Sequence, residues 1–526
     1  MSPVVRRATL PPNVHGYVMQ RTGTGELHHH HHPGDEDGCL DITARPYLGH
    51  EGWRTPTIEE DSDLPPVHSQ LIREYSQYDP VTTTHHRETM ARTATGRGDN
   101  DNDDDDDRET EVQCDDDGGD DEAEKPKNLS WKQRMQHVTW AWFTLTMATG
   151  GIANVLHDVP YRFKGLYTIG LIFFLLNIVC YLIIWAMIIT RFVLYPWTFK
   201  ASLTHPTESL FVPAFAVSFG TILINIVEYG AGSVGAWLQH TVVVLFWFDC
   251  GVAIGLSILI YFILWSTLTF TIARMTPVWI FPAYPLLIVG PHAANLSEKI
   301  SNMSHAIRII IAGFTIQGIG FLVSLTIYSA FVYRLMTQKL PAEPLRPGMF
   351  VSVGPSAFTV SGTIGMAQNL QKVIGSNPTY EFMAVPGLLA ARILRLCANW
   401  MSLWLWGLAW WFFFISLLSN AQCLHTDHHM PFAMTWFSFI FPQTALTTAT
   451  FAVAEAFDVD AIRVIGCVMT VALILAWAMV VACMVRAIVK KQVLWPEKGE
   501  DKTEGGFKPV QRTRTNQSRA EAGSEA

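Results

Sequence analysis

Between about residues 136 and 489 the chain alternates long apolar runs with short polar or charged breaks. A bilayer core of about 30 Å takes about 20 apolar residues of helix. On that ruler the runs predict ten membrane spans, over approximately 136–156, 166–190, 210–228, 239–270, 277–294, 307–333, 348–366, 396–418, 431–454 and 461–489. The even-numbered second, fourth, sixth and tenth are rich in Leu, Ile and Val and are largely unbroken. Four of the odd-numbered spans carry a proline within an apolar, aromatic stretch: Phe211-Val212-Pro213, Trp279-Ile280-Phe281-Pro282, Val353-Gly354-Pro355-Ser356 and Phe439-Ile440-Phe441-Pro442. The first has no proline, but Trp142-Phe143 leads to Thr146, Thr149, Gly150 and Gly151.

Proline inside a helix removes one backbone hydrogen bond and frees a carbonyl. In lipid such a break is tolerated where neighbours, hydroxyls or water satisfy the freed groups. A broken, hydroxyl-rich span therefore suits a polar path better than a lipid face. The breakers at 213, 282, 355 and 442 recur every 70 to 90 residues, about the length of a helical hairpin with its loops, and a regular period marks repeated units. The predicted fold is an all-α polytopic membrane protein of five helical hairpins. Its inner odd helices, kinked by Pro or Gly, surround a central pore, and its even helices face lipid.

The candidate path is lined by Thr146, Thr149, Gly150, Pro213, Ser218, Phe281, Pro282, Ser352, Pro355, Ser356, Thr359, Ser438, Pro442, Thr444 and Thr447. Hydroxyls and the exposed N–H groups of broken helices favour an anion without a buried formal charge. Such a lining binds weakly enough for release, and no lysine or arginine is expected mid-span. His205 and Glu208, before the third span, would sit in the entrance and exchange protons, or would cap the interface. Asp249, inside the fourth span, is an intramembrane carboxylate, expected to serve packing or a subunit contact.

Charge divides the chain further. The first 130 residues hold 29 acidic and 12 basic side chains, a net of −17; the rest hold 17 and 25, a net of +8. Residues 1–130 read as a disordered acidic tail, 131–492 as the ten-helix transport domain and 493–526 as a second disordered tail. A basic membrane domain raises the local concentration of anions. The excess of Lys and Arg, Arg191 among them, on the side of Lys132 and Arg134 favours cytoplasmic termini. No signal peptide precedes the first span, which is expected to insert unaided. The eight cysteines show no paired spacing, against a disulfide framework or zinc site. His28 to His32 and His425-Thr426-Asp427-His428-His429 have the composition of metal-binding tracts, but no metal or other cofactor is expected. Asn302-Met303-Ser304 is a glycosylation sequon after the fifth span.

Several runs carry a resemblance: Gln133-Arg134 to Thr139-Trp140, Thr146 to Gly151, Thr276 to Pro282, Arg346 to Phe350, Val353 to Phe358 and Trp436 to Pro442. They occur in matching order over about residues 131–496. They are similar to the tellurite-resistance/dicarboxylate transporter family, and to its fungal malic acid permease branch in particular. Sulfite efflux pumps and slow-type anion channels belong to the same family. The resemblance implies ten helices round one pore per subunit, a homotrimer, and a phenylalanine on the ninth span that plugs the pore. Phe441 matches that position best; Phe439 is the alternative. It implies transport of malate or another C4 dicarboxylate, with or without a proton, by a multi-pass protein of the plasma membrane, in contact with membrane lipid and with no nucleic-acid partner. Sulfite efflux is the alternative within the same fold. A membrane enzyme would need convergent His, Asp, Glu or Cys groups, which the sequence does not display. A sensor using the acidic tail is a further class, separable by deleting residues 1–130.

Overall fold

The computed structural model describes residues 130–494, apart from 231–233, 376, 378 and 425–431. The acidic tail, the His28 to His32 run, the His425 to His429 tract and residues 495–526 lie outside the described residues. The described chain is mostly helical. Ten long helices follow in order: α1 (Phe143–Asp158), α2 (Leu166–Leu194), α3 (Ala214–Gly230), α4 (Ala236–Thr267), α5 (Tyr284–Lys299), α6 (Met303–Gln338), α7 (Gly354–Gly375), α8 (Gly387–Ala421), α9 (Phe441–Phe457) and α10 (Asp460–Val489). Among the described residues, eight segments are long and apolar enough to cross a membrane; α1 and α5, at 16 residues each, are too short by that measure.

The odd-numbered helices share a local device. Each begins directly after a tighter or shorter helical piece: Trp140–Trp142 before α1, Glu208–Phe211 before α3, Pro277–Ala283 before α5, Glu343–Val353 before α7 and Met434–Phe439 before α9. Proline explains most of these junctions. Pro282 lies inside the 3₁₀ segment before α5, and Pro442 occupies the first turn of α9. There its missing N–H costs nothing, because first-turn amides have no intrahelical partner. In α1 the helix runs unbroken through Gly150 and Gly151, and its junction falls at Trp142–Phe143 instead.

Packing sorts the helices into two layers. Helix α1 touches α3, α3 touches α5, α5 touches α7, α7 touches α9, and α9 returns to α1, so the odd helices close a ring. The even helices cover it: α4 packs on α3 and α5, α6 on α5 and α7, α10 on α9 and α1. The most apolar windows of the segments containing α3, α7 and α9 are 83–89% buried, whereas those of the even helices are 22–39% buried. The exposed faces of the even helices are Leu, Ile, Val, Phe and Trp, among them Leu182, Phe262, Leu322, Trp404 and Leu475. A helix apolar on every side that leaves most of that surface uncovered is built for hydrocarbon rather than water.

Glycine permits the close approach within the ring. A Cβ on Gly362 of α7 would lie 2.9 Å from the Gly290 carbonyl carbon and 3.0 Å from the Pro291 nitrogen of α5. At that point the two backbones are in contact with no side chain between them. Threonines fasten the ring to the outer layer. Thr149 accepts the Trp477 indole N–H at 3.1 Å, Thr450 accepts that of Trp406 at 3.0 Å, and Thr359 accepts the Gln317 amide at 2.8 Å.

Two ends can be distinguished. The Tyr195 hydroxyl donates to the Lys132 carbonyl at the end where the described chain begins, here the near end. The start of α10 and the close of α1, α3, α5, α7 and α9 lie at the far end, where Tyr161 reaches Asp460. At the far end a two-residue antiparallel ladder, Glu381–Phe382 with Val385–Pro386, joins α7 to α8.

Candidate functional site: an aromatic plug and a polar mouth

The ring has an interior, and aromatic side chains fill it. Phe441 on α9 stands 5.9 Å from Tyr284 on α5 and 5.4 Å from Phe358 on α7, ring centre to ring centre. Helices α5 and α9 are not neighbours in the ring, so the Phe441–Tyr284 contact spans its interior. Tyr284 stacks on Phe281 at 5.1 Å and 15°, and Phe281 meets Phe211 at 5.1 Å. Phe441 is 3% exposed. The tyrosine is anchored from below, because its hydroxyl donates to the Val351 carbonyl at 2.5 Å. Phe439 is placed differently: half-buried, it packs on Phe350 and Trp436 and makes no ring contact with Tyr284 or Phe358. Of the two phenylalanines, Phe441 is the one that reaches across the ring.

Beyond the plug, one stripe of each inner helix faces the same space. A helix repeats its face every three to four residues. Phe441 therefore continues on α9 into Ala445, Thr448, Ala452 and Glu455, which pass from buried to exposed towards the far end. On α7 the part-exposed positions beside Phe358 are Ser361, Gly365 and Gln368, ending at the exposed Lys372. Since Ser218 bonds to α1 and Gly220 abuts α5, the inward stripe of α3 is Val217, Thr221, Ile224 and Glu228. Met147 and Asn154 on α1, with Asn295 on α5, complete the level. Near the far end each inner helix thus contributes one polar residue: Asn154, Glu228, Asn295, Gln368 and Glu455.

Glu228 is the buried member of that set, its side chain 3% exposed. The Asn295 amide donates to it at 2.7 Å, and the Asn154 amide, turned to match its partners, donates to both carboxylate oxygens. His157 Nδ1 lies 3.9 Å away, and Lys299 and Arg162 add positive potential. The cationic sector is on the other side of the ring. There a cavity of about 250 Å³ is lined by Gln368, Gln371, Lys372, Arg395 and Glu455.

The residues expected to line a path fall into distinct groups. Phe281, Pro282, Pro355 and Pro442 lie at or beside the helix junctions, and Pro213 precedes α3. Thr146 and Ser218 bond to each other at 2.7 Å across the α1–α3 contact. Thr149 and Thr359 point to the outer layer through Trp477 and Gln317. A Cβ on Gly150 would meet Asn177 and Thr221, so this glycine serves helix packing. Ser352 donates to Met349 at 2.7 Å, Ser356 lies beside the Tyr328 hydroxyl, and Ser438 is buried in the segment before α9. A Cβ on Gly151 would touch Thr444, which places that threonine at the α1–α9 contact; Thr447 is buried and donates to Gln443 at 2.8 Å. Thr448, Ser361, Gly365 and Gln368, not among the expected residues, lie on the inward stripes; the signal was their spacing of three and four from Phe441 and Phe358.

The charged residues beside the spans have definite partners. Glu208 does not stand in an open entrance: it is 0% exposed and paired with Arg191 of α2, Nη2 to Oε2 at 3.3 Å and Nη1 to Oε1 at 2.5 Å. Arg191, read as a flank charge, is itself fully buried and also donates to the Val138 carbonyl at 2.6 Å. His205 Nδ1 accepts the N–H groups of Thr207 and Glu208 at 3.3 and 3.2 Å, so it caps this turn. Asp249 is 1% exposed and meets His292 Nδ1 of α5 at 3.2 Å. It therefore packs inward, the first of the two roles expected of it. This carboxylate–imidazole pair was invisible in the sequence because its members sit 43 residues apart on different helices.

The family described as SLAC1, voltage-dependent anion channel, matches residues 137–485. The chain belongs to this family. A malic acid transport protein of Schizosaccharomyces pombe is 31% identical over 378 residues, covering 72% of this chain and 84% of that protein. A putative malic acid transport protein of the same yeast is 28% identical, covering 71% and 85%. A sulfite efflux pump of Arthroderma benhamiae is 25% identical, covering 67% and 91%. The SLAC1-family chain is thus a multi-pass anion-transport protein. Its family and relatives are channels and transporters rather than enzymes.

Proposed function

We propose that this chain carries small organic anions, malate and other C4 dicarboxylates foremost, along the axis of the five-helix ring, with Phe441 as the gate. The observation that carries the reading is the Phe441–Tyr284 contact across the ring interior, at the level where the inner α-helices start. Helix N-termini present unpaired N–H groups and positive dipole ends, which attract a carboxylate and release it again. A hydrophobic constriction is a known means of closing a pore. Substrate identity rests on the two malic acid transport relatives; the sulfite pump relative supports sulfite as a second substrate, and the mainly neutral lining suits either.

In this reading the chain crosses the bilayer ten times. Helices α1 and α5 alone measure about 24 Å at 1.5 Å per residue, and the pieces before them supply the missing length. The termini face the cytoplasm of a plasma-membrane protein, and the exposed apolar faces of the even helices meet lipid and, in a homotrimer, one another. The proton, where it accompanies the anion, travels as part of a monoanionic substrate.

The test is uptake of labelled malate and labelled sulfite into cells that express the chain, beside Phe441→Ala. Opening the constriction should raise malate flux about tenfold. Sulfite movement without malate would reassign the substrate. If neither anion moves while the protein is at the surface, the transport reading fails.

A further inference from the structure

The far-end cavity lies on the α7–α8–α9 side of the mouth, and its lining is unusual for a membrane protein. Lys372 is 64% exposed and stands 3.6 Å from Glu298, a loose contact in water that is worth little. Arg395, two turns into α8, is part-buried, and its Nη1 donates to Gln371 Oε1 at 2.9 Å. That bond fixes the guanidinium at the edge of the cavity. Basic residues at the end remote from cytoplasmic termini oppose the usual distribution of charge, yet these two converge on one cavity. It opens at the end of the part-exposed stripe Ser361–Gly365–Gln368–Lys372, which leads back to Phe358 and so to Phe441.

We infer that Lys372 and Arg395 form a recruitment site for a small dianion at the far mouth of the path. The inference rests on the anion-transport reading above and names where the substrate first binds. A cavity of about 250 Å³ is below the range of about 300–1,000 Å³ of drug-sized sites and suits a small ion. The guanidinium offers paired donors to one carboxylate, and the ammonium is a point charge for the second. The Gln368 amide adds a neutral donor on the inward stripe. Glu455, on the facing wall, supplies an acceptor for a substrate hydroxyl. Glu228, the other carboxylate of this level, already holds the Asn154 and Asn295 amides, so the incoming anion takes the cationic sector. From there the stripe on α7 hands it to the plug.

The experiment measures initial rates of labelled malate uptake from the far side, with sulfite in parallel, for the full chain and for Lys372→Gln, Arg395→Gln and the double variant. Each single change should raise KM roughly fivefold with the maximal rate unchanged, and high salt should shrink the difference. Arg392→Gln, which removes an exposed charge one turn earlier on α8 outside the cavity, should leave KM as it was. Lys372→Arg should restore most of the affinity. Efflux from the near side should keep its half-saturation in every variant. Unchanged KM in both single variants, or an equal rise in Arg392→Gln, overturns the site. So does a lower maximal rate at constant KM. If Phe441→Ala still raises flux in that case, the transport reading stands without it; if the unaltered chain moves neither anion, the transport reading itself has failed.

Discussion

The two halves of the ring are made from the same five helices but differ in chemistry. At the level of the plug the inward positions are Phe281, Tyr284, Phe358 and Phe441, all buried. Two to four turns further along they become Asn154, Glu228, Asn295, Gln368 and Glu455. Beside the near half lies the Arg191–Glu208 pair, fully enclosed, whereas the far half has Lys372 and Arg395 at an open cavity. In the near half the charged pair holds the structure together; in the far half Glu228 is bonded to amides, while Lys372, Arg395 and Glu455 line an open cavity. In the transport reading proposed above, an aromatic constriction backed by an open cavity would confine the dehydration of an anion to a short distance. That arrangement is economical, since a charge in a dry interior is costly along every ångström of path.

The sharpest way to break the near half is Glu208→Ala. It leaves the Arg191 guanidinium enclosed without its carboxylate, and removing one partner of a buried ion pair costs roughly 3–5 kcal/mol. The turn that carries Phe211 would lose its tie to α2 as well. The expected outcome is a large drop in the melting temperature of the detergent-purified protein and little material at the surface. Glu455→Ala, the matched change in the open mouth, should leave melting nearly unchanged. Equal melting for the two would remove the distinction between structural and cavity-lining charge.

How much of this was legible in the sequence follows from the same contrast. Apolar runs located the helices: α10 was expected over 461–489 and is found at Asp460–Val489. Recurrent prolines located the junctions, because a missing N–H acts locally and needs no knowledge of neighbours. The face of each inner helix was not legible. Inner helices are buried over most of their surface, so a hydroxyl turned to the outer layer, such as Thr149 or Thr359, looks the same in sequence as one turned to the axis. Pairings between helices were hidden for a related reason. Arg191 reads as a flank charge until α2 is docked beside Glu208, and Asp249 lacks a partner until α5 brings His292. The resemblance selected Phe441 or Phe439 as plug residue, and only the ring geometry tells which of them reaches Tyr284.

The next comparison is between the ring and its lipid-facing cover. Gly362→Val on α7 should destabilise the protein by about 2–3 kcal/mol, in the range for overpacking a tight interior, because its new Cβ would press on the α5 backbone near 3 Å. Gly407→Val on α8 introduces the same side chain where nothing lies within 4 Å. Its effect should stay within about 0.5 kcal/mol. Thermal unfolding of both variants measures the difference. A large effect at Gly407 would mean that the outer face is covered by something more rigid than lipid.

The smallest effect sharpens the contrast from the side of pH. His137 precedes the 3₁₀ turn before α1 and is 5% exposed. Burial first, and the nearby Arg191 charge second, lower its pKa from 6.5 to about 4. A depressed imidazole pKa means that the unfolded chain binds more protons than the folded one between those values. Stability therefore rises with pH through that window. The contribution is fully present above pH 6.5 and is lost as pH falls towards 4. Between pH 7 and pH 5 the loss should be roughly 1–2 kcal/mol. His137→Gln keeps a polar side chain without the titration, and should flatten this part of the melting profile while leaving malate KM at the far mouth unchanged. A profile as steep in the variant as in the parent would place the acid sensitivity elsewhere.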